Sequence, residues 1–277
     1  MITASTIKIK DDEFVELKDI IYKNAAISFA DSKKYLIENR LSKRLQELNF
    51  NSFKDYIYYL KYDAKKREEM EILLNHVTIN ETYFLRERAQ MDHMIKTAIP
   101  ELLNSGKKNI RIWSAACSSG EEPYSIAMLL NEAGLFAKAS IEILATDINT
   151  EVLDIAQKGI YRTISFRGVP PQIQDKYFAK DGFAYKLDAN IMNKVKFFQG
   201  NLLNPMMTTK VGRLDVIFCR NVLIYFDIPA KQKVIDLFHK SLGMPGALYL
   251  GHSETLNKIS EAFKMENFGG GIIYRKI

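Results

Sequence analysis

Two adjacent glutamates and a turn of small residues form the stretch of this sequence best suited to chemistry. Residues 110–116 are a short apolar run typical of a buried strand, and residues 121–131 continue with apolar side chains at helical spacing. Residues 117–120 between them carry no bulky side chain that would keep a ligand from the backbone. Strand, small-residue turn and helix in this order are typical of a nucleotide-type site at the carboxyl end of a strand.

The composition of this turn discriminates between cofactors. No Gly-Lys-Ser/Thr follows the strand, and Gly120 stands alone where a dinucleotide fingerprint needs three glycines. Glu121 and Glu122 place negative charge at the predicted helix N-terminus, which suits the helix dipole but would repel a pyrophosphate. A cofactor with a positive charge and no phosphate fits better, and S-adenosylmethionine has both properties.

The next predicted strand, residues 141–147, ends in an acid. Asp147 lies 27 residues after Gly120, somewhat further than the roughly 20 residues usual for an acid that binds ribose hydroxyls. We predict that role for Asp147. The alternative is an N-cap for the helix predicted at about residues 149–158.

Metal and thiol chemistry have little support in the sequence. Cys117 and Cys219 are the two cysteines, form no Cys-x-x-Cys pair and fit small core residues. The histidines are scattered, at His76, His93, His239 and His252. We expect no metal cofactor.

The elements that must position the turn alternate between strands and helices. Further strands are predicted at residues 195–199, 214–219 and 247–250, a helix at 231–242, and a closing strand pair between 263 and 277. This pattern predicts an α/β fold with a doubly wound sheet. Residues 160–192 interrupt the alternation with a hairpin signal at 180–182, which predicts a small β-containing insertion.

The preceding part of the chain is predicted to be a small all-helical domain. Residues 11–75 show helical periodicity and no strand pattern. One of these helices carries five cations on one side: Lys33, Lys34, Arg40, Lys43 and Arg44. They fit an ordinary solvated surface or a docking face for an acidic partner. Because Tyr35 is the one aromatic residue among them, an acidic helical protein is favoured over RNA.

Composition restricts the class of protein further. The 277 residues are 47% hydrophobic and 26% charged, which is typical of a globular protein. No apolar run approaches the roughly 18 residues of a membrane span, and residues 1–12 lack a signal-peptide core, so we predict a cytoplasmic protein. The net charge of +6 suggests an acidic partner without indicating nucleic acid.

Five motifs, taken together and in order, resemble the chemotaxis receptor methyltransferases of the CheR family. They are Asn80-Glu-Thr-Tyr-Phe-Leu-Arg86, Trp113-Ser-Ala-Ala-Cys-Ser-Ser-Gly-Glu-Glu-Pro-Tyr-Ser125, Ala145-Thr-Asp-Ile148, Asn201-Leu-Leu203 and Phe218-Cys-Arg-Asn-Val-Leu-Ile-Tyr-Phe-Asp227. The resemblance covers nearly the whole chain. It implies a helical receptor-docking domain at residues 1–78. It also implies a class I, Rossmann-like S-adenosylmethionine-binding domain at residues 79–277, with the insertion at about 160–192.

The resemblance also implies an activity and a set of site residues. Members move the methyl group of S-adenosylmethionine onto glutamate side chains of chemoreceptor helices, giving methyl esters and S-adenosylhomocysteine, and recruitment to membrane receptors is implied without membrane insertion. Arg86 and Tyr225 match the positions nearest the methyl group, and the basic helix matches the segment that meets the receptor. Cofactor contacts are implied for Asn80, Thr82, Arg86, Glu121, Asp147, Asn201, Leu202, Arg220 and Asn221.

The implied reaction agrees with the residues present. A glutamate carboxylate is already ionised at neutral pH, so methyl transfer needs no general base, and the sequence offers no Ser-His-Asp set. We expect Arg86 to orient the incoming carboxylate and Tyr225 to shape the pocket beside the sulfonium. We expect Asp147 to bind the ribose hydroxyls and Glu121 to lie near the cationic end of the cofactor.

One departure from the family pattern concerns the insertion. Some members have a longer glycine-rich loop there, which binds a short peptide at the receptor's C-terminus. Residues 179–185 are compact and contain one glycine. We therefore predict a member that does not depend on this tether.

Three alternatives stay open. A nicotinamide-dependent oxidoreductase would also use Asp147 on ribose, although the glycine fingerprint is missing. A nucleic-acid methyltransferase would explain a pI near 9.0. Its amine-directed versions carry Asp/Asn-Pro-Pro-aromatic where this chain has Arg220-Asn-Val-Leu. The third is a non-catalytic module that senses the cofactor, against which Arg86 and Tyr225 argue.

Overall fold

The computed structural model describes residues 6–277, and the chain divides into two units that are described separately. The helical unit comprises Met1–Ile79 together with Tyr225–Asp227, and the sheet unit comprises Asn80–Ile224 and Ile228–Ile277. The predicted lack of a signal-peptide core in residues 1–12 falls partly on residues 1–5, which lie outside the described residues. Among residues 6–277, no helix is both long and apolar enough to cross a membrane.

From residue 6 onwards the helical unit contains four α-helices, as its periodicity predicts. They are α1 (Asp11–Ala25), α2 (Lys34–Glu47), α3 (Phe53–Tyr62) and α4 (Lys66–Val77). Ser52 caps α3, because its Oγ accepts a hydrogen bond from the Asp55 N–H at 3.2 Å. A 3₁₀ turn, Asp31–Lys33, precedes α2. The apolar sides of these helices form the core of the unit, in which Leu17, Ile37 and Leu41 are fully buried.

The sheet unit is built on seven strands. Its elements up to the insertion are α5 (Arg88–His93), a π-helical segment (Met94–Ala98), α6 (Ile99–Asn104), β1 (Asn109–Ala115), α7 (Glu121–Glu132), β2 (Ser140–Asp147) and α8 (Thr150–Lys158). The insertion contains β3 (Ile160–Arg162), α9 (Pro171–Tyr177), β4 (Phe178–Asp181), β5 (Ala184–Leu187) and α10 (Ala189–Met192). The remainder is β6 (Val195–Gln199), α11 (Met207–Val211), β7 (Leu214–Cys219), α12 (Ile228–Ser241), β8 (Leu242–Leu250), β9 (Phe263–Phe268) and β10 (Gly271–Lys276).

The strand order confirms the predicted doubly wound sheet with a closing hairpin. It is β6-β2-β1-β7-β8-β10-β9, with the first five strands parallel and β10 antiparallel to both of its neighbours. The chain order reverses between β1 and β7, which is the position where ligands bind in such sheets, outside the carboxyl ends of the strands. Strand β7 is buried along its whole length.

Two departures from the predicted elements have local causes. Strand β8 begins at Leu242 rather than at 247. The sequence did not predict the earlier start, because Gly243, Pro245 and Gly246 are residues typical of a turn. The insertion is a three-stranded antiparallel sheet, β3-β5-β4, whose first strand has only three residues and no readable alternation. The predicted hairpin is present, with β4 paired to β5.

Candidate active site

The turn after β1 is a strained backbone fixed by its neighbours. Ala116 and Ser118 have φ values of 65° and 50°, a left-handed region that costs energy for residues with a Cβ, and Gly120 has φ 91°. A Cβ at Gly120 would lie 2.8 Å from the Cβ of Ala156, so glycine is required there for space as well. The Cys117 N–H donates to the C=O of Thr146 at 2.8 Å, which ties the turn to β2.

Asp147 lies at the end of β2, and both of its carboxylate oxygens accept backbone hydrogen bonds. Oδ2 accepts from the Ser118 N–H at 2.8 Å and Oδ1 from the Asn149 N–H at 3.0 Å. Burial raises the pKa of Asp147, and these N–H donors oppose that shift. The N-cap of α8 is Asn149, whose side chain accepts from Val152, so the alternative role for Asp147 is wrong. The Ser118 hydroxyl donates to the C=O of Asn80 at 3.1 Å.

Glu121 is the first residue of α7 and is 2% exposed. Its Oε2 accepts from the Ser119 hydroxyl at 2.7 Å, and its Oε1 accepts from the Ser165 hydroxyl of the insertion at 3.0 Å. Burial raises the pKa of Glu121, while the two hydroxyl donors favour the charged form. The insertion therefore contributes directly to the surroundings of this carboxylate.

Buried Arg220 and partly buried Glu122 form an ion pair between the loop after β7 and α7. The Arg220 Nη1 donates to Glu122 Oε2 at 3.0 Å, and Ser114 donates to Glu122 Oε1 at 2.6 Å. Burial raises the pKa of Glu122, and Arg220 lowers it. The Arg220 Nη2 donates to the C=O of Arg86 at 2.6 Å and lies 3.3 Å from Glu87 Oε2. The first of the five motifs is thus joined to the last.

Residues 80–87 form an irregular loop that is fixed at several points. Leu85 and Glu87, on either side of Arg86, have φ values of 59° and 49°. The Leu85 N–H donates to the hydroxyl of Ser125 on α7 at 2.9 Å. Because non-glycine residues keep such backbone angles only where their surroundings impose them, the position of Arg86 along the loop is well determined.

Two guanidinium groups lie near the ring of Tyr83 in this loop. The Arg86 Cζ is 5.6 Å and the Arg167 Cζ 4.0 Å from the ring centroid. Arg86 Nη1 donates to the C=O of Glu81 at 3.0 Å, and Arg167 pairs with the Glu81 carboxylate at 2.6 Å. Arg86 is therefore bound to the loop backbone, whereas the charge of Arg167 is balanced by a carboxylate.

The structure brings most of the sequence-predicted cofactor residues to one edge of the sheet. Glu121, Asp147, Asn201, Leu202, Arg220 and Asn221 follow the carboxyl ends of β1, β2, β6 or β7, and Asn80, Thr82 and Arg86 lie in the loop bonded to that edge. Tyr225 differs, since its contacts group it with the helical unit. It ends a 3₁₀ turn, Leu223–Tyr225, and its C=O accepts from the Ser28 N–H at 3.4 Å.

Three of the five cations predicted to meet a receptor are engaged within the helical unit. Arg44 forms two hydrogen bonds with buried Glu69, at 2.9 and 2.5 Å. Arg40 donates to the C=O of Val77 at 2.6 Å, and Lys34 pairs with Asp11 at 2.6 Å. Lys33 is exposed, and so is Lys43, which lies 3.7 Å from Glu47.

The sequence did not indicate several residues that organise this edge. Ser165 and Glu254 contact the candidate site residues Glu121 and Asn221 from positions distant in the chain, and Arg167 contacts the ring of Tyr83 in the loop of residues 80–87. Their only sequence signal was weak: a polar residue within or after an irregular segment. Cys117 and Cys219 are buried, and burial raises the pKa of each thiol, as expected for core residues. Among residues 6–277, no group of His, Cys, Asp and Glu could hold a metal ion.

Comparison with known protein families defines the class. Residues 80–270 match the model of the CheR methyltransferase S-adenosylmethionine-binding domain, and residues 12–78 match the model of the CheR methyltransferase all-alpha domain. The sheet unit is thus the S-adenosylmethionine-binding domain of a methyltransferase, and the oxidoreductase alternative is wrong. The chain belongs to the CheR methyltransferase family.

Curated relatives extend the match over nearly the whole chain. Chemotaxis protein methyltransferase 2 of Vibrio cholerae is 38% identical over 98% of this chain and 94% of its own length. The chemotaxis protein methyltransferase of Borreliella burgdorferi is 38% identical over 90% of each chain. The Escherichia coli protein of the same name is 36% identical over 93% of this chain and 89% of its own. The protein is therefore an S-adenosylmethionine-dependent methyltransferase of chemotaxis.

Replacing Ser165 by alanine should weaken cofactor binding. The variant removes one of the two hydroxyl donors to Glu121 but keeps the Ser165 C=O, which accepts from the Phe84 N–H at 2.9 Å. A hydrogen bond to a charged group contributes about 1.5–3 kcal/mol, so the Kd for S-adenosylmethionine should rise about tenfold in calorimetric titration. Ser140→Ala, at an exposed position, is the matched control. A wild-type Kd for Ser165→Ala would show that cofactor binding does not depend on the hydrogen bond from Ser165 to Glu121.

Proposed function

We propose that this enzyme transfers the methyl group of S-adenosylmethionine to glutamate side-chain carboxylates in the cytoplasmic helices of chemoreceptors. The products would be glutamate methyl esters and S-adenosylhomocysteine. The observation that carries the proposal is the loop of residues 80–87. Its backbone is bonded at Asn80 and Arg86 to the sheet edge that carries buried Glu121 and Asp147, within a domain of the CheR family. The Arg86 guanidinium is held on this loop by the C=O of Glu81.

The donors and acceptors at this edge fit the cofactor. S-adenosylmethionine has ribose hydroxyls, an α-ammonium and a sulfonium, and Asp147 and Glu121 supply buried carboxylate oxygens for such groups. The Nε–H of Arg220 is buried and has no hydrogen-bond partner among the described residues. It would suit an anionic acceptor such as the methionyl carboxylate. Asn80, Thr82, Asn201, Leu202 and Asn221 would complete the contacts.

The residues assigned to transfer bind and orient rather than exchange protons. The sulfonium supplies an activated methyl group when the cofactor is bound. Arg86 would position the substrate carboxylate in line with it, since orientation at contact distance removes much of the barrier. The substrate is already ionised, so no side chain needs to accept a proton. Tyr225 would shape the pocket beside the sulfonium.

The helical domain, residues 1–78, would dock the receptor through the basic face of α2. Of the five cations on this face, Lys33 and Lys43 have the most exposed side chains and would make the direct contacts with receptor carboxylates. Arg44, Arg40 and Lys34 would contribute to the positive potential and the shape of the docking surface, since each is already bound within the unit. We propose no nucleic-acid partner.

The enzyme would not depend on a receptor C-terminal tether. The hairpin between β4 and β5 is short, with Gly182 and Phe183 as its turn, and Gly182 has φ 58°. Such a turn offers little backbone for holding a peptide. Pull-down with a peptide of the receptor's last residues should therefore retain no more protein than a scrambled peptide does. Tight, specific retention of the protein by the tail peptide would contradict tether independence.

Identification of the modified side chain tests the proposed substrate. After incubation of the enzyme, S-adenosylmethionine and a receptor cytoplasmic fragment, peptide mass spectrometry should place one added methylene on glutamate residues of the helices. A fragment with those glutamates changed to alanine should accept none. Methylation at lysine, arginine or a chain terminus instead would refute the glutamate substrate.

A further inference from the structure

Glu254 lies outside every predicted site, yet it holds one of the site's loops. One carboxylate accepts four backbone hydrogen bonds. Oε2 accepts from the N–H of Asn221 at 2.8 Å and of Gly251 at 2.6 Å. Oε1 accepts from the N–H of Val222 at 3.0 Å and of Leu223 at 2.7 Å. Glu254 is 8% exposed, so these bonds form in surroundings where an unpaired N–H is costly.

The bonded segment has a conformation that it would not adopt unaided. Asn221 has φ 59°, and residues 221–223 turn three successive N–H groups towards one point. Three converging N–H groups make a local positive field, which an ionised carboxylate satisfies because all of its lone pairs are acceptors. Glutamine would offer one oxygen and direct its own N–H groups at two of the four donors.

Gly251 is fitted to the same carboxylate. A Cβ at this position would lie 2.6 Å from Glu254 Oε2 and 2.8 Å from the Asn221 nitrogen. Both distances are shorter than real contacts, so glycine is needed for Glu254 to reach the loop. The Glu254 N–H in turn donates to the Gly251 C=O at 2.9 Å. The turn after β8 and the loop after β7 therefore meet at Glu254.

The loop that Glu254 holds carries Arg220 and Asn221, two of the residues assigned to the cofactor. The side chain of Arg220 continues from this loop to Glu122 on α7 and to the C=O of Arg86. The backbone position of residue 220 therefore determines where the Arg220 guanidinium contacts the first motif, Asn80–Arg86. Loss of the four N–H bonds would release the backbone of residues 221–223, which directly follow Arg220.

We propose that Glu254 is a positioning residue of the methyltransferase, fixing residues 220–223 in the conformation that binds S-adenosylmethionine. This inference rests on the assignment of Arg220 and Asn221 to the cofactor site. Glu254 itself makes no contact with the reacting groups. It acts through the backbone of the loop.

The test compares cofactor binding with local backbone protection in the full chain. Glu254→Gln should raise the Kd for S-adenosylmethionine, measured by calorimetric titration, by at least about tenfold, because hydrogen bonds to a charged acceptor are lost. Hydrogen exchange should speed up in residues 220–223 and 251 but not in α7 or β2. Glu261→Gln, an exposed glutamate nearby, should leave Kd and exchange unchanged.

The conservative variant separates positioning from general stability. Glu254→Asp keeps the charge with a shorter side chain, so its Kd should lie between those of the wild type and Glu254→Gln, and it is the informative variant if Glu254→Gln does not fold. A folded variant with faster exchange in residues 220–223 but a wild-type Kd would overturn the proposal, as would a lowered melting temperature with unchanged Kd.

Binding is measured without a methyl acceptor, so the result does not depend on which side chain the enzyme methylates. An error in the glutamate assignment would leave the Kd series intact. Absence of cofactor binding by the wild type would instead refute the proposed function.

Discussion

Replacing Arg86 by alanine is expected to lower kcat about a hundredfold or more, while the Kd for S-adenosylmethionine changes far less. Loss of a group that orients or electrostatically stabilises reacting partners typically costs factors of this size. The backbone C=O of Arg86 remains in the variant and still accepts from Arg220, so the cofactor side of the site keeps its support. Single-turnover methylation of a receptor fragment, with separate calorimetric titration of the cofactor, measures both quantities.

Two further variants sharpen this prediction. Arg86→Lys keeps the charge but not the planar fork that matches a carboxylate, so its kcat should fall between those of the wild type and the alanine variant. Arg88→Ala, an exposed residue two positions away that pairs with Asp92 at 3.4 Å, should behave as the wild type. Equal losses of cofactor affinity and kcat in Arg86→Ala would show that Arg86 binds the cofactor rather than orienting the substrate.

Replacing Arg44 by methionine is expected to lower the free energy of unfolding of the helical unit by about 3 kcal/mol. Breaking a buried ion pair by removing one partner leaves an uncompensated charge, and Glu69 is 2% exposed. Its remaining donor is the hydroxyl of Tyr56, at 2.9 Å. Burial, then the neighbouring Glu69 charge, raises the pKa of Tyr56, so its phenol stays a donor. Urea denaturation, with hydrogen exchange in α2 and α4, measures the loss.

A second substitution should recover most of that stability. Glu69→Gln removes the buried charge and keeps an oxygen for Tyr56, so Arg44→Met combined with Glu69→Gln should be markedly more stable than Arg44→Met alone. Arg67→Met, at an exposed position on α4, is the matched control. Unchanged stability of Arg44→Met would contradict a structural role and return Arg44 to the set of direct receptor contacts.

The sequence predicted the elements around the candidate site, because these depend on local pattern. The apolar runs of β1, β2, β6 and β7 located the strands. Glu121 was expected at the start of the helix after β1 and Asp147 at the end of β2, and both lie at the carboxyl edge of the sheet, where ligands bind in such folds. The closing hairpin was also predicted, because glycines at 269–271 separate two strand-like segments.

The unpredicted parts depend on contacts between distant residues. Glu254 is 33 residues from Asn221 in sequence, and nothing near it shows that four N–H groups converge there. Arg44 and Lys43 are both cations on the predicted polar side of the helix, so the sequence did not distinguish them. Only the position of α4 relative to α2 places Glu69 beside Arg44. Ser165 was not predicted to contact Glu121, because it lies in an insertion whose first strand has only three residues.

The stability of the transferred methyl group in base distinguishes a glutamate methyl ester from other methylation products. Methyl-labelled S-adenosylmethionine is incubated with the enzyme and a receptor cytoplasmic fragment, and the labelled protein is then treated with mild base. We predict that the label leaves as methanol, as a carboxyl methyl ester requires. Label that stays on the protein through base would indicate methylation at nitrogen or carbon and would contradict a glutamate methyltransferase.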